Sequence, residues 1–447
     1  MTELIMFGTF FLLILLNMPI AISLGLAGLL ILFLDRGFAA LELIPSIMYA
    51  GISSFALLAI PFFILAGVIM EYAGISKRLI DFANVCVAHR KNGIAIVTIM
   101  TALFFAAISG SGPATVAAIG GILIPALVKN GYPKPTAAAL IASSGSIGII
   151  IPPSIAFIVY AVIASDIAPI TISRMFIAGI IPGLLLGGAL LATSYIVIRK
   201  KQAGYSQVAA GLEHSEGGMI KPEKPSFKKV VKASSQAIWG LLIPVIILGG
   251  IYGGIFTPTE AAVVAVFYAL FVGLVIYREL KLKDLPKILI DAGVQTAVIM
   301  IIVGTASFLS YIVTTQRMAE NISNALLGIT DNTIIILLLI TLILLIVGAF
   351  IDAISALYLF VPILLPIAME IGMNPTTFGV IITVNLAIGL FTPPVGLNLF
   401  VAGGISNLSL KQVTSGIVPF LIASIAVLLL LTFIPALSNW LPNLLGM

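Results

Sequence analysis

Cysteine, histidine and charged residues are all scarce in this sequence. The 447 residues include one cysteine, Cys86, and two histidines, His89 and His214, both in polar segments. A single cysteine excludes a disulfide within the chain and a cysteine-rich metal site. The two isolated histidines give no pattern for a catalytic triad or a transition-metal site. We therefore expect that the protein is not an enzyme.

Charged residues make up only 9% of the sequence, whereas hydrophobic residues make up 61% and the mean hydropathy is +1.24. Soluble domains carry about 25% charged residues, so this composition indicates an all-α membrane protein with many spans. The first apolar run, Leu4–Leu34, is too long for the core of a signal peptide and predicts one membrane span with a kink at Pro19. The net charge of +5 lies in loops, which favours a basic membrane face over nucleic-acid binding.

A tip of small residues, Ser109–Pro113, separates two apolar arms in the stretch 93–129. Each arm is too short to cross a bilayer, because a crossing takes roughly 20 residues. This pattern predicts a re-entrant hairpin. A second apolar run, 136–165, is long enough to cross but is interrupted at Gly148 and at Pro152-Pro153, so it predicts a broken helix.

These glycines and prolines recur further along the chain. A shift of 241 residues pairs Pro125 with Pro366, Gly131 with Gly372, Gly148 with Gly389 and Pro152-Pro153 with Pro393-Pro394. An ungapped series with two Pro-Pro pairs indicates an internal repeat, with a second hairpin over 333–370 and a second broken helix over 376–405. The predicted domains are a first repeat (1–198), a basic cytoplasmic linker (199–235), a connector span (236–257) and a second repeat (258–447).

The number of spans predicts that the two repeats are inverted. Each repeat has four crossings, and the connector adds a fifth before the second repeat begins, which makes nine crossings in all. With the amino terminus inside, 19 of the 22 Lys and Arg residues fall on the cytoplasmic side, and only Arg36, Arg174 and Arg317 fall outside. Positive residues favour the cytoplasmic side, so the charge distribution supports this orientation.

Broken helices inside a membrane need a reason, because unpaired backbone groups in hydrocarbon cost several kcal/mol each. At a break, free carbonyls can coordinate a cation and helix amino termini can face an anion. Asp352 is the one acid near the middle of a hairpin. It is either a cation-linked carboxylate or a hydrogen-bonded structural acid. The small residues Ser143–Ser146 are equally compatible with close helix packing.

Four motifs carry a resemblance to a known family. They are Ser-Gly-Ser-Gly-Pro-Ala-Thr at 109–115, Gly-x-x-x-Pro-Pro-Ser at 148–154, Gly-x-x-x-Asp at 348–352 and Gly-Leu-Phe-Thr-Pro-Pro-Val-Gly-x-Asn at 389–398. The chain resembles the large membrane subunit of tripartite ATP-independent periplasmic (TRAP) transporters along essentially its whole length. The resemblance implies a bacterial inner-membrane, sodium-coupled symporter that imports organic acids, of the C4-dicarboxylate or sialic acid type, by an elevator mechanism.

The resemblance also implies at least two sodium sites. By motif, one would use Ser109, Gly148, Ile151 and Pro153, the other would use Gly348, Gly389, Thr392 and Val395, and Asp352 would serve a further ion. The candidates for the substrate cavity are Ser111, Thr115, Ser154 and Asn398. The expected partners are a small four-helix membrane subunit as a separate chain and a periplasmic substrate-binding protein. The alternative is a stand-alone sodium–dicarboxylate symporter of related hairpin architecture.

Overall fold

The computed structural model of the chain describes residues 2–87, 89, 92–209, 227–328, 330 and 332–447, and in this part the secondary structure is helical. The first ten α-helices are α1 (Thr2–Leu15), α2 (Ile20–Arg36), α3 (Leu43–Ile52), α4 (Ala59–Tyr72), α5 (Ile75–Val87), α6 (Gly93–Ser109), α7 (Gly112–Lys129), α8 (Lys134–Gly145), α9 (Ile155–Ala164) and α10 (Ile172–Ala209). The next ten are α11 (Phe227–Tyr252), α12 (Pro258–Phe271), α13 (Leu285–Thr315), α14 (Met318–Leu327), α15 (Thr333–Phe350), α16 (Ala353–Glu370), α17 (Pro375–Gly389), α18 (Leu397–Ser406), α19 (Leu410–Phe433) and α20 (Ala436–Leu444).

Local sequence signals explain where several of these helices begin and end. Thr257 and Glu260 form a capping box at the start of α12, with Pro258 in the first turn, where a missing N–H costs nothing. Gly131 and Gly372 follow α7 and α16 with φ angles of +88° and +81°, a conformation that glycine adopts without steric cost. The repeat-related glycines therefore end repeat-related helices in the same way.

The stretch Leu4–Leu34 is two helices, so the prediction of one kinked span was wrong. Helix α1 ends with a hydrogen bond from the Met18 N–H to the Leu13 carbonyl, 3.0 Å, and Asn17 adopts a φ of +62°. This is the left-handed cap that stops a helix. Pro19 then precedes α2, which packs against α1. The turn itself holds no charge and no glycine and lies inside a long apolar run, so hydropathy could not reveal it.

This turn changes the position of the amino terminus. Helix α13 begins beside Lys281, Lys283 and Lys287, at what we call the basic end of the molecule. Tyr72 Oη donates to Asp291 Oδ2 there at 2.8 Å. Helix α13 then leads to α14 at the opposite end. Glu3 lies beside α14, because Asn321 Nδ2 donates to Glu3 Oε1 at 2.7 Å, and this bond lowers the pKa of Glu3. The amino terminus is therefore at the end away from the basic segments, contrary to the expectation from the span count.

Nine helices in the described part are long and apolar enough to cross a membrane. They include three hairpin arms, α7, α15 and α16, but neither α1 nor the broken helices. The set therefore differs from the nine predicted crossings, although the number is the same. The predicted basic linker 199–235 lies outside the described residues over 210–226, and so do Arg90 and Lys91 before the first hairpin. The predicted repeat boundaries stay predictions.

The helices pack into two groups, each of which takes elements from both halves of the chain. In the first group α4 packs along α12, and α13 packs against α2, α3 and α4. In the second group α6 packs against α7, α8 against α19, α15 against α17, α7 against α18 and α16 against α9. We call the first group the scaffold bundle and the second the hairpin bundle. All the predicted site residues lie in the hairpin bundle.

Candidate functional site

Helices α6 and α7 form a helical hairpin whose tip is at Gly110, as the sequence predicts. Gly110 follows α6 with a φ of +60°, and its N–H bonds to the Ala106 carbonyl. The two arms then pack against each other. The second predicted hairpin has the same form, since α15 and α16 are joined only by Ile351 and Asp352.

The tip of the first hairpin gathers three of the predicted residues. Ser109 Oγ lies 3.0 Å from Thr115 Oγ1 and donates to the Ser111 carbonyl at 3.2 Å. Thr115 Oγ1 donates to the same carbonyl at 2.8 Å. Two hydroxyl oxygens and one carbonyl oxygen therefore form a compact neutral cluster, which we call the tip oxygens. Such oxygens suit a hard monovalent cation, because none of them carries a full charge.

The break between α8 and α9 packs directly against this tip. A methyl group placed on Gly148 would lie 2.6 Å from both the Ser111 carbonyl oxygen and Thr115 Oγ1. One placed on Gly110 would lie 3.0 Å from the Pro153 carbonyl oxygen. The structure therefore brings Gly148 and Pro153 to the tip, and the sodium site expected there stays a prediction.

Ser154 and Ile151 also lie at the first break, and their side chains make the following contacts. Ser154 is fully buried and caps α9, and its hydroxyl donates to the Ile149 carbonyl at 2.5 Å. Its hydrogen-bonding capacity is used within the break, where the prediction placed it in a substrate cavity. The side chain of Ile151 points towards α10, because a methyl group on Gly183 would lie 2.7 Å from Ile151 Cγ1.

The second hairpin meets the second break in the same manner. Gly348 and Gly389 stand face to face, and a methyl group on Gly348 would lie 3.2 Å from the Gly389 α-carbon. The Gly396 N–H donates to the Ala349 carbonyl at 3.1 Å, which ties the break to the hairpin. Thr392 Oγ1 donates to the Ile388 carbonyl at 2.7 Å. Val395 lies in the same break, directly before Gly396, and the Pro393-Pro394 bond is cis, like Pro152-Pro153.

Asp352 caps α16. Its Oδ1 accepts hydrogen bonds from the Ile354 and Ser355 N–H groups at 2.9 and 3.1 Å, and Oδ2 accepts from Ser355 Oγ at 2.5 Å. A carboxylate at a helix amino terminus is stabilised by the helix dipole as well as by these donors. These hydrogen bonds are sufficient to explain an acid at position 352 as a helix cap. A cation bound at Asp352 stays a prediction.

Asn398 links the two halves of the chain. It is fully buried, and its Nδ2 donates to the Ala142 carbonyl in α8 at 3.0 Å. Its Oδ1 has no hydrogen-bond partner among the described residues, and a methyl group on Gly112 would lie 3.3 Å from it. The residue thus lies beside the first hairpin tip. In an otherwise apolar interior, an amide oxygen without a partner is a candidate for a bound polar ligand.

Sequence reasoning missed a second buried amide. Asn385 lies on α17 one turn before Gly389, and its Nδ2 donates to the Thr341 carbonyl in α15 at 3.0 Å. The signal was available, because Asn385 is a strongly polar residue within an apolar helix. It helps to hold the second hairpin to the second broken helix.

Two openings in the described part of the chain lie away from the hairpin tips. One, of about 700 Å³, is lined by Arg174, Asn374 and Thr376 among others. The other, of about 560 Å³, lies between Phe55, Phe62 and Glu260. Neither is lined by a predicted site residue. Within the described ranges no three His, Cys, Asp or Glu side chains come together as a set of metal ligands.

The sequence matches the family model described as "Tripartite ATP-independent periplasmic transporter, DctM component" over residues 7–437. It is 42% identical over 433 residues to the isethionate TRAP transporter permease protein DctMQ of Oleidesulfovibrio alaskensis. The matched region covers 97% of this chain and 65% of that protein. The chain thus spans about two thirds of that relative's length. It is 40% identical to the C4-dicarboxylate TRAP transporter large permease protein DctM of Pseudomonas aeruginosa, with 95% of both chains covered.

Solved structures show a similar fold in other transporters. The YdaH transporter of Alcanivorax borkumensis superposes with a TM-score of 0.60 over 92% of this chain and 89% of that one, at 15% sequence identity. Neisseria gonorrhoeae MtrF, from a class of antimetabolite efflux pumps, gives a TM-score of 0.52 at 13% identity, with 92% and 85% covered. At these identities the likeness concerns the fold alone.

Proposed function

The chain belongs to the DctM component family of tripartite ATP-independent periplasmic transporters, and we propose that it is the large transmembrane subunit of a sodium-coupled importer of organic acids. It is thus a multi-pass membrane transporter subunit and not an enzyme. The observation that carries the sodium proposal is the cluster of tip oxygens at Ser109, Ser111 and Thr115, packed against Gly148.

Two sodium sites are proposed, one at each junction of a hairpin with a break. The first uses the tip oxygens with the backbone at Gly148, Ile151 and Pro153. The second uses Thr392 with the backbone at Gly348, Gly389 and Val395. Sodium entering down the membrane potential supplies roughly 2.3 kcal/mol per charge per 100 mV, which can drive the uptake of an anion.

An organic anion would bind between the two tips. Four helices begin there, namely α7, α9, α16 and α18. Helix amino termini carry partial positive charge and favour carboxylates, so the site needs no lysine or arginine. We propose a C4-dicarboxylate or sialic acid type of substrate. Two relatives support this class, because their names give isethionate and C4-dicarboxylate, both small organic anions, as what they transport.

The two groups of helices suggest how such a site reaches both sides of the membrane. We propose that the hairpin bundle moves as an elevator against the scaffold bundle, which stays fixed. The proposed location is the bacterial inner membrane. The proposed partners are a small membrane subunit on a separate chain, packed on the scaffold bundle, and a periplasmic binding protein that delivers the anion.

Reconstitution tests this function. The chain, a small membrane subunit and a binding protein encoded beside it would be placed in proteoliposomes, and uptake of a panel of radiolabelled carboxylates would be measured with and without an inward sodium gradient. We expect uptake of one class of organic acid that depends on sodium. Equal uptake in potassium and sodium would refute the sodium coupling, and no uptake of any organic acid would refute the substrate class.

A further inference from the structure

The start of α5 is fastened to the second half of the chain by a cluster centred on Arg78. Helix α5 connects α4 of the scaffold bundle to the first hairpin. Arg78 Nη2 donates to Glu279 Oε1 at 2.8 Å, and its guanidinium carbon lies 3.8 Å from the centre of the Tyr277 ring. Arg78 Nη1 also donates to the Gly74 carbonyl at 3.0 Å, at the bend between α4 and α5.

This ion pair is better held than a solvated surface pair. The Arg78 side chain is only 19% exposed, while that of Glu279 is 48% exposed. Isolated surface pairs contribute little, because two long side chains must be immobilised in water. Here an aromatic face and a backbone carbonyl fix the guanidinium as well, so the geometry is set by three different contacts.

Glycines at two positions allow the close packing around this cluster. Gly74 has a φ of +66°, and a methyl group there would collide with the Glu279 carboxylate and lie 2.9 Å from Arg78 Nη1. A methyl group on Gly240 of α11 would lie 2.7 Å from Ile75 Cγ2 at the start of α5. Helix α5 therefore rests on α11 without a gap at the point where Arg78 fastens it.

The corresponding helix of the second half, α14, is held differently. Its charged pair, Arg317 and Glu320, lies 4.0 Å apart within one turn, and both side chains are more than two-thirds exposed. Ser323 Oγ donates instead to Glu370 Oε2 at 3.1 Å, at the end of the second hairpin. Thus α14 is bonded to the hairpin that follows it, whereas Arg78 of α5 is bonded to Glu279, between α12 and α13, and α5 packs against α11.

We propose that Arg78 is a positioning residue for transport, which fixes the bend between α4 and α5 to the scaffold bundle. The two connecting helices, α5 and α14, would then differ in how far they move during transport. This inference rests on the proposed elevator. The first hairpin would move about the fixed bend between α4 and α5, whereas the second hairpin would move together with α14. Arg78 touches no predicted sodium or substrate residue, so it should affect the rate of movement and not the affinity of the site.

The test is a charge exchange in the reconstituted transporter. We expect Arg78→Glu and Glu279→Arg each to lower the maximal uptake rate by about fivefold, the scale of coupling between contacting charged residues. The half-saturating concentrations of substrate and sodium should stay within about twofold. The double variant should recover part of the lost rate, because it restores the ion pair but not the contacts of Arg78 with the Tyr277 ring and the Gly74 carbonyl. Arg317→Glu, the matched change in α14, should leave the rate unchanged.

A distance measurement tests the hinge without transport. After Cys86→Ser, spin labels at Asp81 in α5 and at Lys283 beside α13 should give a narrow distance distribution. Arg78→Glu should broaden it, and the charge exchange should narrow it again. An unchanged distribution in Arg78→Glu, or no recovery in the exchange variant, would overturn the proposal. If Arg78→Glu fails to fold, Arg78→Gln serves in both measurements.

The two proposals can fail separately. A parent protein without sodium-driven uptake would refute the proposed function, and the distance measurement would still decide whether Arg78 holds α5. Normal uptake in the parent with an altered half-saturating sodium concentration in Arg78→Glu would refute only the positioning role.

Discussion

Gly389 faces Gly348 so closely that a methyl group on Gly389 would lie 2.6 Å from the Gly348 α-carbon. These two residues join the second hairpin to the second broken helix, and both backbones are buried at the contact. No flexible side chain is available to move aside. The contact therefore requires glycine on the α17 side for reasons of space alone.

We expect Gly389→Ala to destabilise the protein by about 1–3 kcal/mol or more, because an extra methyl group must displace backbone atoms. The midpoint of thermal unfolding in detergent would measure the loss. The matched control is Gly404→Ala in α18, where a methyl group would meet nothing within 4 Å. This control should be neutral or stabilising by about 0.5–1 kcal/mol, since alanine is the better helix former. Equal effects of the two changes would contradict the packing argument.

Asp352 allows its two roles to be separated by substitution. Asn is as good a helix cap as Asp, whereas Ala loses the cap at a cost of typically about 1 kcal/mol. We expect Asp352→Ala to lower the unfolding midpoint and Asp352→Asn to keep it. We also expect Asp352→Asn to lower sodium-driven uptake, because it removes the charge. Full uptake by Asp352→Asn would leave the carboxylate with a capping role only.

The hydroxyls of Ser109 and Thr392 are predicted to serve the two sodium sites. The Ser109 hydroxyl donates to the Ser111 carbonyl and accepts from the Ser111 N–H, and the Thr392 hydroxyl donates to the Ile388 carbonyl. Each oxygen therefore keeps a lone pair for a cation. We expect Ser109→Ala and Thr392→Ala to raise the half-saturating sodium concentration without lowering the unfolding midpoint. Sodium titrations of uptake would show this. Thr314→Ala, at a hydroxyl with a similar bond on α13, is the control, and equal sodium curves in all three would refute both sites.

The elements that carry the site were predictable, because glycine and proline limit the backbone wherever they lie. Gly110, Gly148 and Gly389 marked the tip and the breaks correctly. The role of Asn398 was not predictable, because its bond to Ala142 joins residues that are 256 positions apart. Such a contact depends on how the two halves pack, and a single sequence contains no record of that packing.

The amino-terminal turn was the main error in the fold, and it affects the repeat as well. A shift of 241 residues carries α1, Thr2–Leu15, onto 243–256, which overlaps α11. It carries α2 onto 261–277, which overlaps α12 and the turn after it. We therefore propose that α11 is the first helix of the second repeat, where the sequence suggested a connector without a partner.

This division predicts that both termini are on the same side of the membrane. Glu3 bonds to Asn321 in α14, Ser323 in α14 bonds to Glu370, and Ser438 in α20 bonds to Thr377 shortly after it. These contacts place both ends of the chain together, away from the basic segments.

Single cysteines introduced after Cys86→Ser would report this arrangement in intact cells. Leu4 and Leu445 are exposed near the termini, and Lys283 is exposed at the basic end. We expect a membrane-impermeant maleimide to label Leu4→Cys and Leu445→Cys from outside and Lys283→Cys only after the cells are opened. Labelling of Leu4→Cys and Lys283→Cys from one side would restore the original topology.

The last prediction is that this chain alone does not transport. An elevator needs a fixed support, and the scaffold bundle consists of α2, α3, α4, α12 and α13, with α11 packed against α12. Its outer helices expose large apolar side chains such as Leu289, Val294 and Val298 on α13. An exposed apolar face of this kind fits a further membrane subunit.

Delivery adds a second requirement. An anion held by a periplasmic binding protein reaches the hairpin tips only if that protein docks and opens, so free substrate should be taken up poorly even at high concentration. Proteoliposomes containing only this chain should therefore show little sodium-driven uptake, and adding the small subunit and the loaded binding protein should restore it. Adding each partner alone is the control that separates the two requirements. Robust uptake of free dicarboxylate by the chain alone would instead favour the stand-alone symporter, because neither a supporting subunit nor a delivered ligand would then be needed.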